Sequence, residues 1–268
     1  MTDAPREAIW MPLLQRLTTV SDTWAVWKNV DSALSGDGDI DSFASPSDWN
    51  TIESEVRTWA LLHRLGPVIV CTHIPGGLNL VVPDGDSPYL FEISVKERKL
   101  FRGSALFTYE QLLPFLRMDP RGFRCVAPGV EGVLKLLLNG TRRGGAKHAA
   151  GLQEKNVLEL LREDPEGARR AVDAIGGVGA PALQRAVDAA TAGGWARGAM
   201  AIVEGRAALR MLAEPAMTIR RVRFVASTRY PCPVVHALLG NARYIPGARD
   251  RWLSDVALTH PQRSEVRA

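Results

Sequence analysis

The apolar residues change period once along the chain, near residue 127, and this limits the fold more than any other feature. Before that point the apolar runs are short and bounded by turn residues. Val68-Ile69-Val70-Cys71 is continuous, Leu78 to Val82 follows Pro75-Gly76-Gly77, and Tyr89 to Val95 alternates after Ser87-Pro88. Runs of this length between Gly and Pro clusters are strands, and the last two read as a hairpin. After it, apolar residues recur at three- and four-residue spacing over Val133 to Leu138, Ala149 to Leu161, Gly167 to Ile175, Ala180 to Ala192 and Ala196 to Leu212. Breakers such as Gly176-Gly177 and Gly193-Gly194 separate these helices. A chain patterned this way is expected to be α/β (α+β), with a mixed α/β segment over 1–127, a helical segment over 128–214 and an extension over 215–268.

Helices also belong to the first segment. Leu13, Leu14 and Leu17 share a face within Trp10 to Thr19. Ser45-Pro46-Ser47-Asp48 is a helix start, and the face Trp49, Ile52, Val56, Trp59, Leu62 carries that helix from Ser47 to Leu65. Thr108 with Gln111 forms a capping box that opens a helix to Arg117. Thr23 to Val30 and Asp39 to Ala44 read as strands. Beyond Ala216, a strand-like run covers Thr218 to Val225 and a helix Ala248 to Leu258.

Composition closes off several classes. With 268 residues and 46% hydrophobic residues the chain can bury a core without disulfide or metal support. Its apolar runs fall well short of the ~18–20 residues a membrane span needs, so no membrane partner is expected. The mixed N-terminus and the unpaired set Cys71, Cys125 and Cys232 suit a reducing cytoplasm. The net charge of +4 is uneven: from Ala216 onward nine arginines face three acids, a local +6 that leaves −2 for the rest. Scattered arginines of this kind usually cover a solvated surface, with nucleic acid as the alternative partner.

The chemistry concentrates in Ser35-Gly36-Asp37-Gly38-Asp39-Ile40-Asp41. Alternation on a strand puts Asp39 and Asp41 on one side of a sheet, about 6–7 Å apart along the backbone. Two carboxylates this close repel unless a cation intervenes, and hard oxygen donors suit Mg²⁺, which takes its remaining ligands from water and phosphate. Glycines let backbone N–H groups approach a phosphate. A calcium loop fits less well: after Asp37, Asp39 and Asp41 the sixth position is Ser42 rather than Gly, the twelfth is Asp48 rather than Glu, and Pro46 falls inside. A solvated Asp/Gly turn is the bland alternative. No nucleophile elbow, Walker A motif or complete dinucleotide-binding glycine motif is present.

Over roughly Ala25 to Val95 the chain resembles the DNA polymerase β-like nucleotidyltransferase superfamily. Ser35-Gly36 stands for its small-residue pair and Asp39-Ile40-Asp41 for its metal-binding pair. That family carries a third carboxylate on a later strand beside the first. Phe91-Glu92-Ile93-Ser94-Val95 is the fitting strand, with Glu92 where the family usually has Asp. The resemblance implies a mixed sheet with flanking helices followed by a helical domain. It implies two Mg²⁺ ions, with Mn²⁺ as a substitute, held by Asp39, Asp41 and Glu92. Ser35 and Gly36 would contact the β- and γ-phosphates of an NTP, and Lys135 or Lys147 would reach them from the helical domain. The reaction would move a nucleoside monophosphate to a hydroxyl on a small molecule, a tRNA end or a protein. Lys96, Arg98, Lys99 and Arg102 follow the Glu92 strand and could neutralise an anionic substrate or simply solvate a hairpin edge. His73 sits near a tight turn and is more simply a turn histidine than part of an acceptor pocket. The competing class is a nucleotidyltransferase-fold protein that binds or regulates without turnover, with its basic tail contacting nucleic acid.

Overall fold

A computed structural model of the chain describes residues 6–36, 38–71, 76–84, 89–101, 104–140, 152–213, 215–216, 218–219 and 242–245. The protein is mixed α/β. Helix α1 spans Arg6–Val20, strand β1 Ala25–Lys28, α2 Val30–Ser35, β2 Ile40–Phe43 and α3 Trp49–Leu62. Strands β3 (Val68–Cys71), β4 (Gly77–Pro83), β5 (Leu90–Lys96), β6 (Arg98–Phe101) and β7 (Ser104–Thr108) follow. Then come α4 (Tyr109–Leu112), β8 (Leu116–Met118), β9 (Arg124–Val126) and α5 (Pro128–Lys135), which continues as a π-turn over Leu136–Gly140. Four further helices are α6 (Leu152–Glu163), α7 (Pro165–Gly176), α8 (Ala180–Thr191) and α9 (Arg197–Ala213), and the last described element is β10 (Ala242–Ile245).

These elements fall into two compact units. One comprises Met1–Glu97, Met118–Arg124 and Ile219–Ala268, the other Arg98–Arg117 and Cys125–Thr218. The segment Arg98–Arg117 groups with the helices, and the described strand Ala242–Ile245 groups with the α/β unit. The reason is pairing: β10 adds antiparallel to β3, with Tyr244 opposite Ile69. The strand-like run at Thr218 to Val225 and the late helix at Ala248 to Leu258 lie almost wholly outside the described residues.

The main sheet has the order β10-β3-β4-β5-β2-β1-β9-β8. Alternation divides the side chains of its centre. Leu78, Leu80 and Val82 of β4 and Phe91, Ile93 and Val95 of β5 are buried on one face. Helices α1 and α3 cover that face because their stripes are aromatic. Trp10 stacks on Trp59 at 5.4 Å, and Phe91 meets both edge-on at 5.1 and 5.4 Å. The Trp59 indole donates to the Ile9 carbonyl at 2.8 Å, which fixes the angle of α3 against α1. The expected start at Ser47 is a 3-10 turn over Pro46–Asp48, capped by the Ser45 hydroxyl accepting from the Ser47 amide; helix α3 itself runs from Trp49 and ends at Leu62, short of Leu65. Its last turn has lost the core, for Leu62 is exposed.

The second unit is built on close helix contacts. Asp164 caps α7 by accepting from the Gly167 amide at 2.8 Å and also accepts from the Gly129 amide at 3.2 Å at the start of α5. The capping box of Thr108 and Gln111 is present at α4. The helix it opens is one turn long, because Leu113-Pro114-Phe115 tightens into a 3-10 turn and the chain becomes strand at Leu116. No helix among the described residues is long and apolar enough to cross a membrane.

Candidate functional site

The polar face of the α/β unit is set by one parallel pairing. Strand β2 runs parallel to β5, with Ile40 opposite Ile93 and Asp41 opposite Ser94. Asp39 therefore precedes Ile40 just as Glu92 precedes Ile93, so the two carboxylates stand level on neighbouring strands. Neighbouring strands are ~4.8 Å apart. On the other side of β5, β4 places Val81 opposite Glu92, Asn79 opposite Ser94 and Gly77 opposite Lys96. Strand β1 places Lys28 opposite Asp41 after a register shift. Period-two alternation then brings Asp39, Asp41, Glu92, Lys96, Asn79 and Lys28 to the face opposite Trp10 and Trp59.

The polar groups on this face are bonded to one another. Lys28 Nζ forms an ion pair with Asp41 Oδ2, and Asp41 is 4% exposed. Lys96, 5% exposed, donates to Asn79 Oδ1 at 2.8 Å, and Asn79 Nδ2 reaches Glu92 Oε1 at 3.4 Å. Burial raises the Asp39 carboxyl above its ordinary value and Asp41 raises it further, with Lys28 and Lys96 pulling it back. Burial likewise raises Glu92, followed by Asp39, with Lys96 opposing and Asp41 adding. Burial raises the Cys71 thiol, and Glu92 adds to it. Cys71 is opposite Asn79 on β3 and is held as the unreactive thiol.

A raised carboxyl opposes folding once ionised. Below the unfolded value near 4 the group is neutral in both states, and its full contribution is present. As pH rises through the unfolded and then the folded value, the folded state must give up a proton it holds more tightly, and that contribution is lost. Glu92→Gln is therefore expected to raise thermal stability at pH 7–8 in EDTA by about 0.5–1 kcal/mol, after discounting for partial exposure, or about 1–4 °C. The gain should vanish below pH 4. Thermal unfolding at the two pH values measures it, and a loss at neutral pH would show that Glu92 is held by favourable partners.

The expected site residues fare differently. Ser35 ends α2, and its hydroxyl donates to the Ser32 carbonyl at 2.9 Å. Gly36 follows in the left-handed region at φ 100°, and its amide donates to the Ala33 carbonyl at 3.1 Å. Both donors are engaged, and a helix C-terminus carries partial negative charge, so this turn offers a phosphate nothing. The turn serves instead to reverse the chain into β2. Lys135 is paired with Glu131 at 2.6 Å on α5, while Lys147, His73 and Asp37 lie outside the described residues. Asp48 accepts from Ser21 at 2.6 Å and Thr23 at 2.7 Å, and Asp41 lies within a strand, which removes the calcium-loop reading. Asn79 and Gly77 escaped the sequence reading. The hairpin register held the signal, since pairing Leu78–Val82 with Phe91–Val95 places Asn79 beside Glu92.

Hard carboxylate oxygens on one face have the right chemistry for Mg²⁺. As arranged, however, no group of three His, Cys, Asp or Glu among the described residues converges as a metal centre. The expected two-ion, three-carboxylate set is thus not preassembled, and Lys28 stands where a cation would meet Asp41. Comparison of the chain with family models, with curated proteins and with solved structures finds no match in any of the three.

Proposed function

We propose that the polar face of β2 and β5 binds a nucleoside triphosphate with Mg²⁺ and transfers the nucleoside monophosphate to a hydroxyl acceptor. The observation that supports this reading is the parallel pairing that sets Asp39 level with Glu92 and Asp41 beside them. Asp39 and Asp41 would hold the cation, with water and phosphate oxygens as its other ligands. When bound, that ion supplies charge stabilisation to the phosphates and to the leaving pyrophosphate. Glu92 accepts the proton of the attacking hydroxyl at its carboxylate. Three carboxylates and two ammonium groups sum to −1 on this face, and one divalent ion reverses it to +1. Nucleotide binding then depends on the metal: ATP or another NTP is expected to bind at least about tenfold more tightly with Mg²⁺ than in EDTA. Calorimetry measures the difference, and equal affinities in the two conditions would refute this charge balance.

The deciding experiment incubates wild type and Asp39→Ala with Mg²⁺, each α-phosphate-labelled NTP and a cell extract. Label transferred to a small molecule, to tRNA or to protein by the wild type alone supports the reading and names the acceptor class. A nucleotide-binding protein without turnover is the second reading. It is favoured by the Lys28–Asp41 ion pair and by the lack of a converged three-ligand group among the described residues. It predicts Mg²⁺-dependent binding with no transferred label. A role of the arginine-rich tail in nucleic-acid contact predicts salt-sensitive binding that survives Asp39→Ala. A cytoplasmic location fits Cys71 and Cys125 as thiols outside any disulfide.

A further inference from the structure

Lys96 is an ammonium group placed where a sheet ordinarily puts an apolar side chain. It ends β5, is 5% exposed, and lies across the neighbouring strand at Gly77. Gly77 is not in the left-handed region. Its lack of a side chain matters because of space: a Cβ there would lie 2.8 Å from Lys96 Cδ and 2.9 Å from Lys96 Nζ. The Lys96 stem thus runs over a gap in β4 that only glycine leaves open. At the far end, Asn79 Oδ1 accepts from Lys96 Nζ at 2.8 Å, and Asn79 Nδ2 turns to Glu92 at 3.4 Å. Asn79 is thereby a bridge that holds a cation and a carboxylate at a fixed separation. Burying an ammonium is costly, and a surface lysine would neutralise Glu92 without a tailored gap.

Resting on the reading above, we propose that Lys96 is the phosphate-binding residue of this site and that Asn79 and Gly77 position it. A cation on Asp39 and Asp41 makes the face net positive, and the polyphosphate that arrives with it is received by the Lys96 ammonium. Lysine suits this role as a compact point charge, and Asn79 Oδ1 accepts from it. The class of ligand is a polyphosphate bound as its Mg²⁺ complex, and the base and sugar of the nucleotide are not contacted by this residue.

The test separates this role from simple charge compensation of Glu92. Two titrations are run on wild type, Lys96→Met, Gly77→Ala and Asn79→Ala: Mn²⁺ alone, followed by electron paramagnetic resonance, and inorganic tripolyphosphate with Mg²⁺, followed by calorimetry. Lys96→Met is expected to lose roughly 10- to 100-fold in tripolyphosphate affinity, while Mn²⁺ alone binds as well or more tightly, since a competing cation has gone. Gly77→Ala displaces the lysine without removing it. It is expected to lose several-fold in tripolyphosphate affinity with an unchanged circular dichroism spectrum, which keeps the test decisive should Lys96→Met fail to fold. Asn79→Ala is expected to fall between the two. Tripolyphosphate affinity unchanged in both Lys96→Met and Gly77→Ala would overturn the assignment of Lys96 and leave the metal site standing. A wild type that binds neither Mn²⁺ nor the tripolyphosphate complex would overturn the proposed function together with it.

Discussion

Asp41→Asn is expected to reduce the proposed nucleotidyl transfer by about 1,000-fold or more, the loss that follows when several kcal/mol of charge stabilisation leave the reacting phosphates. The amide keeps the shape of the carboxylate and removes the charge that would hold the cation. The same change disturbs the fold, because Asp41 is buried against Lys28. Removing one partner of such a pair leaves an uncompensated ammonium, at a cost of about 1–3 kcal/mol. A drop in activity alone would therefore be ambiguous. The double variant Asp41→Asn/Lys28→Met resolves it by replacing the stranded ammonium with an apolar chain of similar length. Stability should recover toward wild type while transfer stays lost, as read from thermal unfolding and from label transfer on the same samples. Activity that returns with stability would show that Asp41 acts only through the fold, and the site would have to be sought elsewhere.

Gly129→Val is expected to destabilise the helical unit by more than about 3 kcal/mol. Gly129 stands in the first turn of α5, where its amide donates to the Asp164 side chain. A Cβ at this position would fall inside the backbone of Asp164 and of Ala168, the start of α7. Backbone cannot swing aside as a side chain does, so the helices must separate, and the cap that Asp164 makes to Gly167 goes with them. In thermal unfolding this corresponds to a fall of about 6–12 °C. Gly205, inside α9 and exposed, has nothing within 4 Å of its would-be Cβ. Gly205→Ala should accordingly stabilise by about 0.5–1 kcal/mol through helix propensity. The opposite signs separate close packing from propensity, and a mild effect at Gly129 would mean that α5 and α7 do not approach as closely as described.

Three helices of the helical half were legible almost to the residue, while the one expected at Val133 to Leu138 begins five residues earlier, at Pro128, and passes into a π-turn at Leu136. Expected helices at Gly167 to Ile175, Ala180 to Ala192 and Ala196 to Leu212 correspond to Pro165–Gly176, Ala180–Thr191 and Arg197–Ala213. Their apolar period and their glycine breakers are both local signals. The β4–β5 hairpin was legible for the same reason. Strands β6 and β7 were not: Arg98, Lys99 and Arg102 read as a charged edge, and pairing of Lys99 with Phe107 is visible only once the two segments meet. Strand β8 was hidden behind a genuine capping box, whose helix Pro114 cut short. A flexible pair such as Ser35-Gly36 preceding two aspartates looks alike whether it opens a strand or closes a helix. Only the Gly36 amide bond to Ala33 distinguishes them.

By itself the sequence determined which side chains share a face within each strand, since alternation is a property of one extended chain. Asp39 and Asp41 were therefore grouped before any fold was known. Only the tertiary structure decided what that pair faces. The parallel register of β2 on β5, Lys28 opposite Asp41, and Gly77 beneath Lys96 depend on ladders between segments far apart in the chain. A slip of one residue in any of them would turn a carboxylate into the apolar core. Burial of the aromatic face under α1 and α3 selects the register, and the polar site follows from it on the other side of the sheet.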